Sequence, residues 1–354
     1  MKKALVSILL IFNVLAVLAL FISYVSIYIS PDKYWIPSLF GLVYPVILVI
    51  NLLFILFWFF VKPKNVLLSI ISILIGWGLV GRHFQIKGRS AENGDVKVLS
   101  YNVRFFQGDG TNNQTENANE IIRFLEEQNA DIICLQEVRL NKKSIFNLAN
   151  TVGKLKSVNH YQYARTSTTY GSVTMTRYPI VNMGEIRFKN SRNITIYTDV
   201  IIQNDTVRII NAHLQSYQIN PSDYSIIDSP GITEDEDIEQ IKEVAVKYKK
   251  ALELRAEQVR EIRKYIDDSP HQVLVCGDFN DTPASYSYRK LQSGLKDAFV
   301  YSGKGIGPTY MGKLPPFRID YIFHSNGFES YNFSTVNFKM SDHLPVTCDL
   351  VKLN

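Results

Sequence analysis

Gln272–Asp281 reads QVLVCGDFND, an apolar run that stops at a glycine and turns at once into acids and a carboxamide. Apolar residues in a short run bounded by turn formers read as a buried strand. The abrupt polar end is the informative part. The same arrangement recurs through the chain: VKVLSY is followed by Asn102, IICLQ by Glu137 and VRIINA by His213. RIDYIF carries Asp320, and Ser341-Asp342-His343 precede the last apolar run. Carboxylates, carboxamides and imidazoles thus follow strands that are distant in sequence, which is how rigid elements assemble a polar pocket.

Taken singly, each residue has a bland reading. Asn102, Asp278 and Asn280 suit turns, the last two because Thr282-Pro283 follow them. Glu137 suits the first solvated position after a buried strand, and His213 and His343 suit a core. Two of six histidines falling beside these motifs argues for a site. Hard oxygen donors without clustered cysteines suit Mg²⁺ or Mn²⁺ better than zinc. Cys134, Cys276 and Cys348 are too few and too widely spaced for a disulfide framework, and each lies in an apolar run that buries a thiol.

Outward from the strands, the spacing predicts a helix over Asn117–Gln128, a strand over Asp131–Gln136, further strands over Ser172–Thr176 and Gln272–Cys276, and a long amphipathic helix over Val244–Ile266. Thr195–Ile202 and Thr206–Leu214 flank Gln203-Asn204-Asp205 as a hairpin. Arg318–Phe323 and Pro345–Leu350 complete the strands, which outnumber the helices in one α+β domain over 90–354. Asp228–Glu239 holds six acids and no base, which reads as a solvated approach to a helix N-terminus, with a lid as the rival.

The N-terminal quarter differs in kind. Residues 4–29 and 35–61 contain no charge, and each exceeds the ~20 apolar residues that cross a bilayer. The uncharged run 66–81 is shorter and spans with bilayer thinning. Residues 1–86 are therefore expected to form about three transmembrane helices, with two spans and an interfacial segment as the alternative. A cleaved signal peptide is disfavoured by the length of the first run and by the absence of a small-residue cleavage site. Tyr24, Tyr28, Tyr34, Trp35, Trp58 and Trp77 suit interfacial belts. Five basic residues and one acid lie in 1–81, so the net +5 belongs mostly there. A near-neutral remainder removes bulk charge as an argument for nucleic-acid binding. Short-loop lysines and arginines balance on the two sides when Arg82, Lys87 and Arg89 are counted, and Lys2 and Lys3 favour a C-terminal domain outside the cytoplasm.

In order, Ser100-Tyr101-Asn102-Val103, Leu135-Gln136-Glu137-Val138, Asn211-Ala212-His213-Leu214, Gly277-Asp278-Phe279-Asn280, Arg318-Ile319-Asp320-Tyr321 and Ser341-Asp342-His343-Leu344-Pro345 resemble the endonuclease/exonuclease/phosphatase superfamily. Arg255 and Gln258 fit its R-x-x-Q and read as structural. The resemblance implies a four-layer α/β/β/α sandwich and metal-dependent hydrolysis of a phosphate ester by activated water. It implies Glu137 as principal metal ligand with Asn102 and Asp342 beside it, and Mg²⁺ or Mn²⁺ as the ion. Asp278 would orient or deprotonate the water, Asn280 and Asn211 would touch the substrate, and His343 would face the phosphate with its pKa raised by Asp320. His213 would assist the leaving group. Arg104 stands where the family often has an acid and adds a phosphate-facing charge. Tyr170 lies about one residue from the register of the phosphate-contacting tyrosine. The segment 217–250 reads as an insertion.

The expected partners are a phosphodiester, nucleic acid or phospholipid, and a lipid bilayer through 1–86. A nuclease-like phosphodiesterase leads. A phospholipid head-group hydrolase of sphingomyelinase or phosphoinositide type follows, and a tethered module without catalysis comes last.

Overall fold

A computed structural model describes residues 2–91, 94–108, 113–139, 147–166, 170–217, 235–312 and 315–353. The acidic stretch expected as approach or lid lies outside them up to residue 234. The chain divides into two compact units.

The first comprises Met1–Trp77, Gln215–Val259 and Ala284–Arg289. Helices α1 (Lys2–Ser26) and α3 (Tyr44–Val61) are long and apolar enough to cross a membrane. The uncharged run 35–61 is not one helix. It breaks into α2 (Ile36–Leu42) and α3 because Pro45, in the first turn of α3, has no N–H to continue the ladder from α2. The third run is bent as well: α4 (Val66–Ile75) and α5 (Trp77–His83) meet at Gly76, and the pair containing them turns by 68°. The structure thus offers two straight spans, or three if the bent pair is one.

A buried polar ladder ties α1, α3 and α4. Trp58 Nε1 donates to Asn13 Oδ1 at 2.9 Å, Asn13 Nδ2 donates to Ser69 Oγ at 2.8 Å, and Ser69 Oγ donates to Asn51 Oδ1 at 3.2 Å. Side-chain bonds of this kind are worth roughly 0.6–2 kcal/mol in apolar surroundings. Trp58, expected in an interfacial belt, is fully buried in that ladder, whereas Tyr28, Tyr34 and Trp77 are exposed. The turn after α1 packs on later parts of the chain: Ser26 Oγ donates to the Ala284 carbonyl, Tyr248 stacks edge-on with Trp35, and the Arg289 guanidinium lies 4.2 Å from the Tyr28 ring centroid.

The second unit comprises Gly78–Leu214, Arg260–Pro283 and Lys290–Asn354, and it is an α+β sandwich of two six-stranded mixed sheets. One sheet contains β1 (Val96–Asn102), β2 (Ile132–Arg139), β3 (His160–Arg165), β4 (Tyr170–Thr176), β11 (Phe328–Thr335) and β12 (Val346–Lys352), in the order β11-β12-β1-β2-β4-β3. The other contains β5 (Ile180–Arg187), β6 (Ile194–Ile202), β7 (Asp205–His213), β8 (Gln272–Asp278), β9 (Lys296–Asp297) and β10 (Asp320–His324), in the order β5-β6-β7-β8-β10-β9. Gln203 and Asn204 both take positive φ at the predicted hairpin, the conformation that matches strand twist in a two-residue turn.

Inward-facing residues of both sheets, including Val98, Ile132, Ile209, Leu274 and Ile322, form the central core, and all three cysteines are buried and unpaired within it. Helices α6 (Gln114–Gln128) and α7 (Leu148–Lys154) cover the first sheet through Ile121, Leu125 and Leu148. The last turns of α8 (Asp235–Asp267) bury Ile262 and Ile266 and lie against the second sheet, where the Tyr265 carbonyl accepts from Arg208 of β7.

Candidate active site

Strand direction explains why the polar residues converge. β1 and β2 run parallel, as do β7 and β8, so the C-terminal ends of each pair coincide. Asn102 therefore ends beside Gln136, and His213 ends directly beside Asp278. β10 runs antiparallel to β8, so its first residue, Asp320, also lies opposite Asp278.

Two backbone devices complete the aim of these side chains. A bulge between Leu135 and Val138 in the β2–β4 pairing, with Glu137 at φ 53°, re-aims that acid. Gly277 has φ 139°, and a Cβ there would lie 1.9 Å from the Ala212 carbonyl oxygen, so β8 can pass β7 only with glycine.

The side chains form one buried chain of contacts. His343 Nδ1 is 2.9 Å from Asp320 Oδ2, and its Nε2 is 3.7 Å from Asp278 Oδ2. Asn102 Nδ2 donates to Asp278 at 3.0 Å and to Glu137 at 3.3 Å. His213 Nε2 lies 3.4 Å from Glu137 and 3.8 Å from Asp278. Asn280 Nδ2 donates to Asp278 at 3.1 Å and to the Leu214 carbonyl at 3.0 Å, and its backbone N–H donates to the other Asp278 oxygen at 2.8 Å. At the rim, Arg104 Nε is 3.4 Å from Asp342 Oδ2.

Electrostatics divide these groups. Burial opposes charge on His343, but Asp320 and Asp278 outweigh it and push the imidazole up to about 10. Burial pulls the His213 pKa down against the Asp278 charge, and the His343 charge adds to that pull, so the surroundings favour its neutral ring. Burial pushes Asp278 up, and it pushes Glu137 up to about 7 with Asp278 and Asp342 adding to it. Four acids crowd one pocket with one buried imidazolium.

That donor set fits a divalent cation. Hard carboxylate oxygens are the ligands such ions prefer, and a bound cation would favour the ionised form that burial disfavours in Glu137. Asp278, Asp320 and His343 have ligand atoms within 4.8 Å of one another. An imidazolium has no lone pair to offer, however, so this trio reads as an ion-paired relay. Glu137 with Asp342 and the Asn102 amide is the better nest.

Of the residues expected at the substrate, Arg104 lies beside Asp342, and the Tyr170 ring meets Phe105, the residue after Arg104, edge-to-face with centroids 4.9 Å apart. Asn211 does not fit that expectation. It is fully buried between the sheets, its Nδ2 donating to the Leu135 and Val173 carbonyls and its Oδ1 accepting from Gln136. It ties sheet to sheet. Asn280 also spends its Nδ2 on protein acceptors and holds Asp278 in place. The meeting of Phe105 with Tyr170 was not legible in the sequence, because a phenylalanine after a strand carries no titratable signal.

A model of the Endonuclease/Exonuclease/phosphatase family matches residues 99–343, and a domain of unknown function matches residues 6–83. Among solved structures, an endonuclease/exonuclease/phosphatase family protein from Leptotrichia buccalis is 18% identical, with a TM-score of 0.50 over 72% of this chain and 99% of that one. A protein described likewise from Beutenbergia cavernae is 20% identical, with a TM-score of 0.53 over 74% and 72%. A humanized D. rerio TDP2 is 16% identical, with a TM-score of 0.51 over 72% and 98%. These likenesses concern the fold. No curated protein sequence matches significantly.

Proposed function

Because the chain belongs to the endonuclease/exonuclease/phosphatase family, we propose that it is a membrane-anchored, Mg²⁺- or Mn²⁺-dependent phosphodiesterase with nuclease-like hydrolysis by activated water. The observation that carries this reading is the buried relay Asp320–His343–Asp278, with Asn102 linking Asp278 to Glu137.

Asp278, held by Asn102 and by Asn280 and raised in pKa by burial, orients the attacking water and takes its proton. His343 carries its positive charge on a ring whose Nδ1 is fixed by Asp320, so Nε2–H is the donor left for a phosphate oxygen as negative charge builds there. His213, neutral, is placed to hydrogen-bond the leaving oxygen. Glu137, Asp342 and Asn102 would hold the ion, which supplies Lewis-acid polarisation of the phosphoryl group when bound.

The anchor is a multi-pass one, and the catalytic domain lies outside the cytoplasm. In support, Lys2, Lys3, Lys62 and Lys64 flank the membrane helices at one end, against Lys33 at the other. Arg89 is paired with Glu329 at 2.8 Å, and the Arg82 carbonyl accepts from Arg318, so both belong to a folded domain and weigh little in a count over short loops.

Full-length protein in detergent, given Mg²⁺ and DNA, RNA, sphingomyelin, phosphoinositides or a chromogenic phosphodiester, tests the reading. Hydrolysis of the chromogenic diester and of DNA or RNA is expected. Hydrolysis of phospholipid alone would move the substrate to the lipid head group, and no turnover of any diester would refute the proposal.

A further inference from the structure

Between Val103 and Gln107 the chain is held in a conformation its residues do not choose. Arg104, Phe105 and Phe106 have φ of 41°, 55° and 62°, three consecutive left-handed residues without a glycine. Such backbone persists only where its surroundings over-determine it. Here Phe106 is 3% exposed in the core beneath α6, its carbonyl accepts from Asn117 Nδ2 at 3.1 Å, and its N–H donates to Val103 at 2.8 Å. At the other end the Arg104 N–H donates to Asn102 Oδ1 at 3.0 Å.

This turn sets the placement of the two side chains that follow the Asn102 end of β1. Arg104 comes to Asp342, and its closest approach is through Nε. Phe105, partly exposed, meets Tyr170 at an interplanar angle of 70°. The hydrolytic relay uses neither Phe105 nor Tyr170. Two aromatic rings and a planar guanidinium, with no aliphatic side chain among the three, match a flat π-system better than a flexible alkyl chain.

We propose that Phe105, braced edge-on by Tyr170 and flanked by Arg104, is a specificity-determining platform that stacks a planar ring carried on the ester group retained after hydrolysis. The substrate class is a nucleoside phosphodiester. This rests on the phosphodiesterase reading above and adds the ring that the site selects.

The test uses full-length protein in detergent and two probes with the same p-nitrophenolate leaving group. One is the p-nitrophenyl ester of thymidine 5′-phosphate, and the other is methyl p-nitrophenyl phosphate. The wild type should prefer the thymidine probe in kcat/KM. Phe105→Ala should lower kcat/KM for that probe about 5- to 150-fold, mostly through KM, the range that loss of one base–aromatic stack gives. The methyl probe should change less than twofold. Phe105→Leu, which keeps apolar volume without a π-face, should resemble Phe105→Ala, and Phe105→Trp should resemble wild type. Equal losses on both probes, or full activity of Phe105→Leu on the thymidine probe, would overturn the platform while leaving the phosphodiesterase reading intact. So would a wild-type preference for p-nitrophenylphosphorylcholine over the thymidine probe. If the wild type hydrolyses no probe, the phosphodiesterase reading fails and the platform falls with it.

Discussion

At the scale of single residues, the proposed chemistry turns on the pairing of His343 with Asp320 at 2.9 Å. The imidazole titrates near 10 against an ordinary 6.5, so it is cationic throughout the neutral range. Because the folded-state pKa is raised, the stability this charge contributes is complete below about 6.5 and is lost as pH rises through about 10. Asp320→Asn removes the acid that holds the proton. The alkaline limb of the pH–rate profile should then move to lower pH. His343→Ala should abolish most activity, and the double variant should be little worse than His343→Ala alone, since groups acting as one unit are not additive. Losses that multiply, with an unmoved profile, would show that Asp320 merely supports a turn.

The convergence of Asp278, His343 and Asp320 was legible in the sequence because strand ends in polar motifs are conspicuous. Asn211 was not, since the carboxamide of a strand residue carries no mark telling whether it faces a substrate or an opposite sheet.

Secondary-structure elements show where periodicity is informative and where it fails. Central strands β1, β2, β7, β8 and β10 are apolar on both faces and were visible as continuous runs. The strands that the sequence did not reveal, β3, β5, β9 and β11, all lie at sheet edges. An edge strand is half solvated and takes polar residues, as in His160–Arg165 with its exposed Tyr161 and Tyr163, so neither alternation nor a run stands out. The breaks at Pro45 and Gly76 were likewise hidden, because uniform hydrophobicity has no period to interrupt.

Two devices at this scale are testable. Gly277→Ala forces a Cβ into the Ala212 carbonyl oxygen at a left-handed φ, so thermal unfolding should show a marked loss of stability together with lost activity. Asn211→Ala removes the bonds to the Leu135 and Val173 carbonyls and to Gln136, at roughly 0.5–1.5 kcal/mol per lost hydrogen bond. It should lower the melting temperature, with a change in KM for the thymidine probe under twofold. A large KM effect in a protein of unchanged stability would restore Asn211 to the substrate.

For the molecule as a whole, uncharged runs announced helices long and apolar enough to cross a membrane, and ordered motifs announced an endonuclease/exonuclease/phosphatase family domain. The bulk charge was silent on substrate because 82–354 is almost balanced, and the choice among phosphodiesters is proposed to fall to Phe105. The proposed orientation predicts that single cysteines introduced at exposed Tyr163 and Val181 react with a membrane-impermeant maleimide in intact cells, whereas a cysteine at Lys64 does not. The reverse pattern would place the catalytic domain in the cytoplasm.

The central claim is that a cation held at Glu137 and a water activated by Asp278 together cleave a phosphodiester, and one paired titration tests it. Mn²⁺ binding by paramagnetic resonance and turnover of the thymidine probe are followed in the same EDTA-stripped, full-length samples. Wild type should be inactive when stripped and recover as the ion binds, and Glu137→Ala should need far more Mn²⁺ for both readouts. Asp278→Asn should bind Mn²⁺ near the wild-type concentration yet turn over ~10²–10⁴-fold more slowly, the usual cost of losing an acid–base or electrostatic group. Turnover that survives exhaustive chelation, or near-full activity of Asp278→Asn, would contradict the account.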